Sequence, residues 1–176
     1  MNEQELTPEL AAEIERGFAA RDRDDMGPTI AYFEELLTRH PGHAHVLYEV
    51  GGSYDTAGRE DEAVTYYEQA LDAGLSGDTL RKCLLQYGST LRNLERYDES
   101  VAVFTRAAVE QFPGFASLRL FRALNLHAAG RSDAAVGELL EVAADHIDTA
   151  DVKRYEAALR GNAEYLRDRD AGVVTA

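Results

Sequence analysis

The chain has 176 residues and carries 18 Lys and Arg against 32 Asp and Glu, a net charge of -14, so a nucleic-acid partner would meet a repelling field. Its single cysteine, Cys83, excludes an intramolecular disulfide and suits a reducing compartment, and this length fits one domain that buries its own core without a staple. The opening MNEQELTPEL lacks the basic flank and apolar core of a signal peptide, and no apolar run reaches bilayer-spanning length, which predicts a cytoplasmic protein with no membrane partner.

In chain order, LTPEL opens the first helix, with Thr7 as its cap and Pro8 in its first turn. DDMGPTIAYFEELLTRHPGHA follows, where Gly27 and Pro28 mark the start of a second helix and Pro41 its stop. Three later stretches are copies of one another: GREDEAVTYYEQALDAGL from Gly58, ERYDESVAVFTRAAVEQF from Glu95 and GRSDAAVGELLEVAADHI from Gly130. Laid together they align Ala63, Ser100 and Ala135, then Tyr67, Phe104 and Leu139, then Ala70, Ala107 and Val142. Phe33 joins the aromatic column, which steps by 34, 37 and 35 residues. A period of this size indicates a helical repeat in which neither helix of a unit buries its apolar stripe alone.

The punctuation supports two helices per unit. Gly58 and Gly130 occupy the turn between them, with Glu95 in the equivalent place, and Asp61, Asp98 and Asp133 stand at the start of each second helix. Pro113 ends the third second helix, and GLSGD from Gly74 absorbs the residues of the long step. After Ile147, Tyr155, Ala158, Leu159 and Leu166 form one apolar stripe beside a charged face, which suits a capping helix. The expected domain is therefore a single all-α unit. It comprises repeats at about 7-41, 43-76, 78-113 and 114-147, a capping helix at 149-169 and a frayed tail at 170-176. That makes nine antiparallel helices and no sheet.

Gly51, Tyr54, Gly58, Ala63, Tyr67 and Ala70 resemble the tetratricopeptide repeat, and the unit after it keeps Gly88, Phe104 and Ala107. The resemblance covers about residues 7 to 146, the first and last units lacking several consensus residues. YGSTLRNLERYDES and YDTAGREDEAVTYYEQALDAGL also resemble a small bacterial group of such proteins of unassigned function. The resemblance implies a right-handed α-solenoid whose first helices line a concave groove that holds a protein or peptide.

Transferred residue by residue, the groove positions are Tyr48, Asp55, Lys82, Leu85, Ser89, Arg92 and Asn93, with Arg119, Arg122, Asn125 and His127 in the fourth unit. Arg21, Asp55, Arg92 and His127 make one polar column. Either Asp55 braces Arg92 and Arg21, or Arg92 with Asn93 and Ser89 offers a fork to a carboxylate or backbone. The lysine, asparagine and arginine clamp of some family members is not reproduced, since Tyr48, Gly52, Gln86, Ser117 and Phe121 occupy its places.

HPGHAH, with His40, His43 and His45, is the one metal-like cluster, but it straddles a Pro-Gly turn with no cysteine or carboxylate beside it. REDE and RDRDD read as solvated charge at helix ends. With no phosphate loop, dinucleotide fingerprint or nucleophile motif present, the sequence predicts a non-enzymatic binding scaffold without metal or cofactor, monomeric or homodimeric. The alternatives are a metal-dependent module or enzyme built on the three histidines, and a self-associating structural homodimer.

Overall fold

The structure, a computed structural model, describes residues 6–173. Residues 1–5, the start of the segment without signal-peptide character, and 174–176, the end of the expected tail, lie outside them. The described chain is all-helical: α1 (Pro8–Ala19), α2 (Gly27–Arg39), α3 (Ala44–Thr56), α4 (Glu60–Asp72), α5 (Gly77–Asn93), α6 (Tyr97–Thr105), α7 (Ala116–Ala128), α8 (Ser132–His146), α9 (Ala150–Arg154) and α10 (Glu156–Asp170). This is one helix more than the nine expected, because the capping segment breaks at Tyr155 into α9 and α10. The chain divides into two compact units, Met1–Leu94 and Glu95–Ala176, with the boundary inside the repeat expected at 78-113.

In the first unit, the Thr7 hydroxyl accepts from the Leu10 N–H at 3.2 Å and Pro8 opens α1, so the chain enters its first helix with a satisfied end. α2 packs on α1 and α3, α4 on α3, and α5 on both α3 and α4. Ala63, Tyr67 and Ala70 of α4 are fully buried, as is Phe33 of α2. Gly51 explains how the Tyr67 ring fits: a Cβ there would stand 2.9 Å from ring carbon Cδ1, so only glycine lets α3 approach a ring this deeply enclosed.

In the second unit, α6 runs without interruption into a π-helical turn, Arg106–Gln111, that ends before Pro113. Ser100, Phe104 and Ala107 are buried, and the Phe104 ring stacks on Phe121 of α7 at 6.4 Å between centroids. α7 pairs with α8, and α8 is in turn covered by α10. Here the aromatic column fails. Leu139 is 44% exposed, and its neighbour Glu138 points inward at 5%.

On α8 the inward position is taken by Glu138, which Arg119 and Arg122 of α7 clasp. Gly137 of α8 faces α10 so closely that a Cβ would come within 3.0 Å of the Ala163 carbonyl oxygen. The capping stripe is also corrected. Ala163 is fully buried with Leu159 and Leu166 half-buried, whereas Tyr155 and Ala158 are exposed.

Gly58 and Gly130 adopt φ of +72° and +78° in the turns before α4 and α8, and Glu95 keeps that left-handed shape at +59° although it has a Cβ. Asp61, Asp98 and Asp133 lie in the first turns of α4, α6 and α8, where no N-cap side chain accepts a hydrogen bond. They act electrostatically toward the positive helix end, and Asp133 also pairs with Arg169 of α10. α10 closes at Gly172, with the Val173 N–H donating to the Asp168 carbonyl at 2.8 Å.

Candidate binding cleft

In the first unit, three helices turn one face each toward a common cleft of about 440 Å³. From α1 come Ala11, Ile14, Glu15 and Phe18; from α3, His45, Tyr48 and Glu49; from α5, Thr79, Lys82 and Gln86. These are three- and four-residue steps, so each helix contributes a single stripe. Phe18, Arg21, Tyr48, Glu49, Gly52 and Gln86 line a small hollow of about 30 Å³ that shares four of these residues.

Beneath the cleft, aromatic bodies are held by their polar tips. The Tyr67 hydroxyl donates to Asp55 Oδ2 at 3.2 Å and lies 3.4 Å from Gln86 Oε1, and the Thr90 hydroxyl lies 3.1 Å from Asp55 Oδ1. Burial raises the Asp55 carboxyl above the usual range against the opposing effect of these hydrogen bonds. Burial likewise raises the Tyr48 phenol, and pushes the Cys83 thiol up to about 12, leaving Cys83 a packing residue rather than a nucleophile.

The cleft's most perturbed carboxylic acid is Glu49, pushed up to about 7 by burial, with Arg21 and Lys82 drawing it back only in part. Among the described residues its carboxylate makes no hydrogen bond and no ion pair. Lys82 instead meets Asp78, Nζ to Oδ2 at 2.9 Å, and the Arg21 guanidinium lies 4.3 Å above the Phe18 ring. His45 is held below its ordinary value, first by desolvation and then by the neighbouring His43.

The expected site residues separate into distinct environments. Tyr48 and Lys82 line the cleft. Asp55 is committed to Tyr67 and Thr90 and not to the expected brace with Arg92; among the described residues Arg92 instead reaches the adjacent Asn93, Nη2 to Oδ1 at 3.5 Å. Leu85 is half-buried on α5, and the Ser89 hydroxyl donates to its carbonyl at 2.9 Å. His127 is exposed on α7, with Nδ1 3.3 Å from the Ser132 hydroxyl.

Arg119, Arg122 and Asn125 do not share the face of His127. Asn125 is fully buried, taking the Ser100 hydroxyl's hydrogen bond and donating to the Phe121 carbonyl at 2.6 Å. Arg119 Nε and Arg122 Nη1 clasp Glu138 at 2.6 and 2.7 Å, and Arg119 extends to Glu141 and Asp145. The residues exposed beside His127 are Leu120 and Leu124. The sequence carried that signal: fifteen and eleven positions before the small column stand Ile14 and Phe18, Tyr48 and Gly52, Leu85 and Ser89, then Leu120 and Leu124.

The three histidines diverge. His43 is buried, His40 Nε2 stands 4.0 Å from Glu13, and His45 faces the cleft, with successive ring centroids 6.4 and 5.8 Å apart. Among the described residues no group of three or more His, Cys, Asp or Glu is placed to hold a metal ion. Nor is any helix there long and apolar enough to cross a membrane.

Compared with known protein families, residues 44–166 match the family described as Tetratrico peptide repeat. The match begins at α3 and runs into α10, so α1 and α2 precede it. No curated protein matches the chain.

Proposed function

Since the chain belongs to the tetratricopeptide repeat family, whose members are protein-interaction scaffolds, we propose that it binds a peptide segment of a protein partner in the cleft of its first unit. The observation that carries this reading is the convergence of α1, α3 and α5 stripes on a hollow of about 440 Å³ with an apolar floor. Ligand sites typically enclose roughly 300–1,000 Å³ with a few placed polar groups. Tyr48 and Lys82 contact the partner there, and Leu85, Ser89, Arg92 and Asn93 extend the surface along α5. Asp55 acts indirectly by fixing Tyr67 and Thr90. No residue is assigned a catalytic role, and the protein acts in the cytoplasm without nucleic acid, in keeping with the net charge of -14 and the lone cysteine.

Affinity capture from the native cell with Phe18→Ser and Leu124→Ser variants tests this reading. Both side chains are 52% exposed, so neither change disturbs a core. Phe18→Ser is expected to lose the captured partner and Leu124→Ser to keep it. An unchanged set of partners with Phe18→Ser removes the cleft from the function.

A further inference from the structure

Glu49 is the most informative group in the cleft, because it is half-buried, lines the hollow and makes no hydrogen bond or ion pair among the described residues. Its surroundings are apolar on one side, through Ile14, Phe18 and Tyr48. The charged or titratable groups facing it are Glu15 on α1, Arg21 just after α1, Lys82 on α5 and His45 on its own helix. The two cations are otherwise engaged: Lys82 with Asp78, and Arg21 on the face of Phe18. The field around the cleft is also negative. Residues 1–94 hold 8 Lys and Arg against 18 Asp and Glu, which is -10 of the chain's -14.

Resting on the peptide-binding reading above, we infer that the cleft selects a segment in which a bulky apolar side chain stands next to a lysine or arginine. The apolar group packs between Ile14, Phe18 and Tyr48, and the cation donates to the Glu49 carboxylate, supplying the partner that the fold withholds. An anionic segment would instead place like charge against Glu49 and Glu15 in a net-negative unit. Because the charged form of Glu49 is the one that binds, affinity rises as the pH rises through about 7.

The test uses the full chain and capped nine-residue peptides with Gly and Ser flanks around a Leu-Arg, Leu-Gln, Leu-Glu or Ala-Arg centre. Affinities come from NMR titration, with the shifts of cleft residues reporting where each peptide sits. Near pH 8 the Leu-Arg peptide is expected to bind at least about tenfold tighter than Leu-Gln, with Leu-Glu weaker still and Ala-Arg weaker than Leu-Arg. Glu49→Gln is expected to abolish the advantage of Leu-Arg over Leu-Gln. If Leu-Glu binds as well as Leu-Arg, or the Leu-Arg advantage survives Glu49→Gln, the cation assignment is overturned while peptide binding in the cleft stands. If none of the peptides shifts the cleft resonances, both readings fall.

Discussion

Each unit of this protein draws a glutamate inward, and the two are treated in opposite ways. Glu138 in the second unit is clasped by two arginines at 2.6 and 2.7 Å, and one of them continues to Glu141 and Asp145. Glu49 in the first unit lines a cleft with no ionic partner among the described residues and is pushed up to about 7. Burial alone therefore does not tell a structural acid from a binding acid; the completeness of its pairing does. A clasped carboxylate has its lone pairs satisfied by the fold, whereas an unclasped one keeps an unmet demand that a ligand can meet.

The largest expected effect tests the clasped acid. Glu138→Ala leaves the largely buried Arg119 and Arg122 without their shared acceptor. Removing one member of a buried pair typically costs about 3 kcal/mol or more, because the surviving charge stays desolvated; here that charge is Arg122, since Arg119 keeps Glu141 and Asp145. Urea unfolding should show a loss of that order. A loss under about 0.5 kcal/mol would mean that water reaches the arginines readily, and the contrast with Glu49 would collapse.

The unclasped acid should respond with the opposite sign. The carboxyl of Glu49 is raised from 4.5 to about 7 on folding, so between those values the folded state holds a proton that the unfolded state has released. Stability therefore falls as the pH rises from about 4.5 to 7 and stays reduced above that. Glu49→Gln removes this dependence. It should match the wild type near pH 4 and exceed it by about 2–3 kcal/mol near pH 8, since each tenfold change in proton affinity is worth about 1.4 kcal/mol. Unfolding curves at the two pH values check this, and equal pH dependence in both proteins would show Glu49 to be well solvated. A residue whose removal stabilises the fold while weakening binding is what a preorganised site implies.

How much of this was legible in the sequence differs between the units. In the first unit the small and aromatic columns hold: Ala63, Tyr67 and Ala70 are fully buried, as the period requires. The cleft was only half legible. Tyr48 and Lys82 follow from the column, but the importance of Glu49 depends on whether a cation near it in space is free, and Lys82 and Arg21 prove engaged. In the second unit Leu139 is exposed and Glu138, clasped by Arg119 and Arg122, takes the inward position. No periodicity announces that exchange. The misplacement of Arg122 and Asn125 is different: counting from the small column gives Leu120 and Leu124, so that error lay in register and not in missing information.

The smallest expected effect lies at Glu95, the first residue of the second unit, which holds φ at +59° where Gly58 and Gly130 hold +72° and +78°. A Cβ in the left-handed region crowds the following carbonyl, so Glu95 carries a local cost that the two glycines avoid. Glu95→Gly relieves that strain but also gives the unfolded chain more freedom to lose, and the two effects oppose each other. The balance at a position already committed to positive φ favours glycine, by about 0.5–1 kcal/mol. Asn, which tolerates the same region, should recover part of that gain. Melting curves of the two variants measure it, and the expected order of stability is Gly, then Asn, then the native Glu. If Glu95→Gly instead lowers stability, the turn before α6 is held by contacts of the glutamate side chain and not tolerated in spite of it. The repeat would then have replaced its glycine with an interaction, and the second unit would depend on a charged residue at this turn as it does at Glu138.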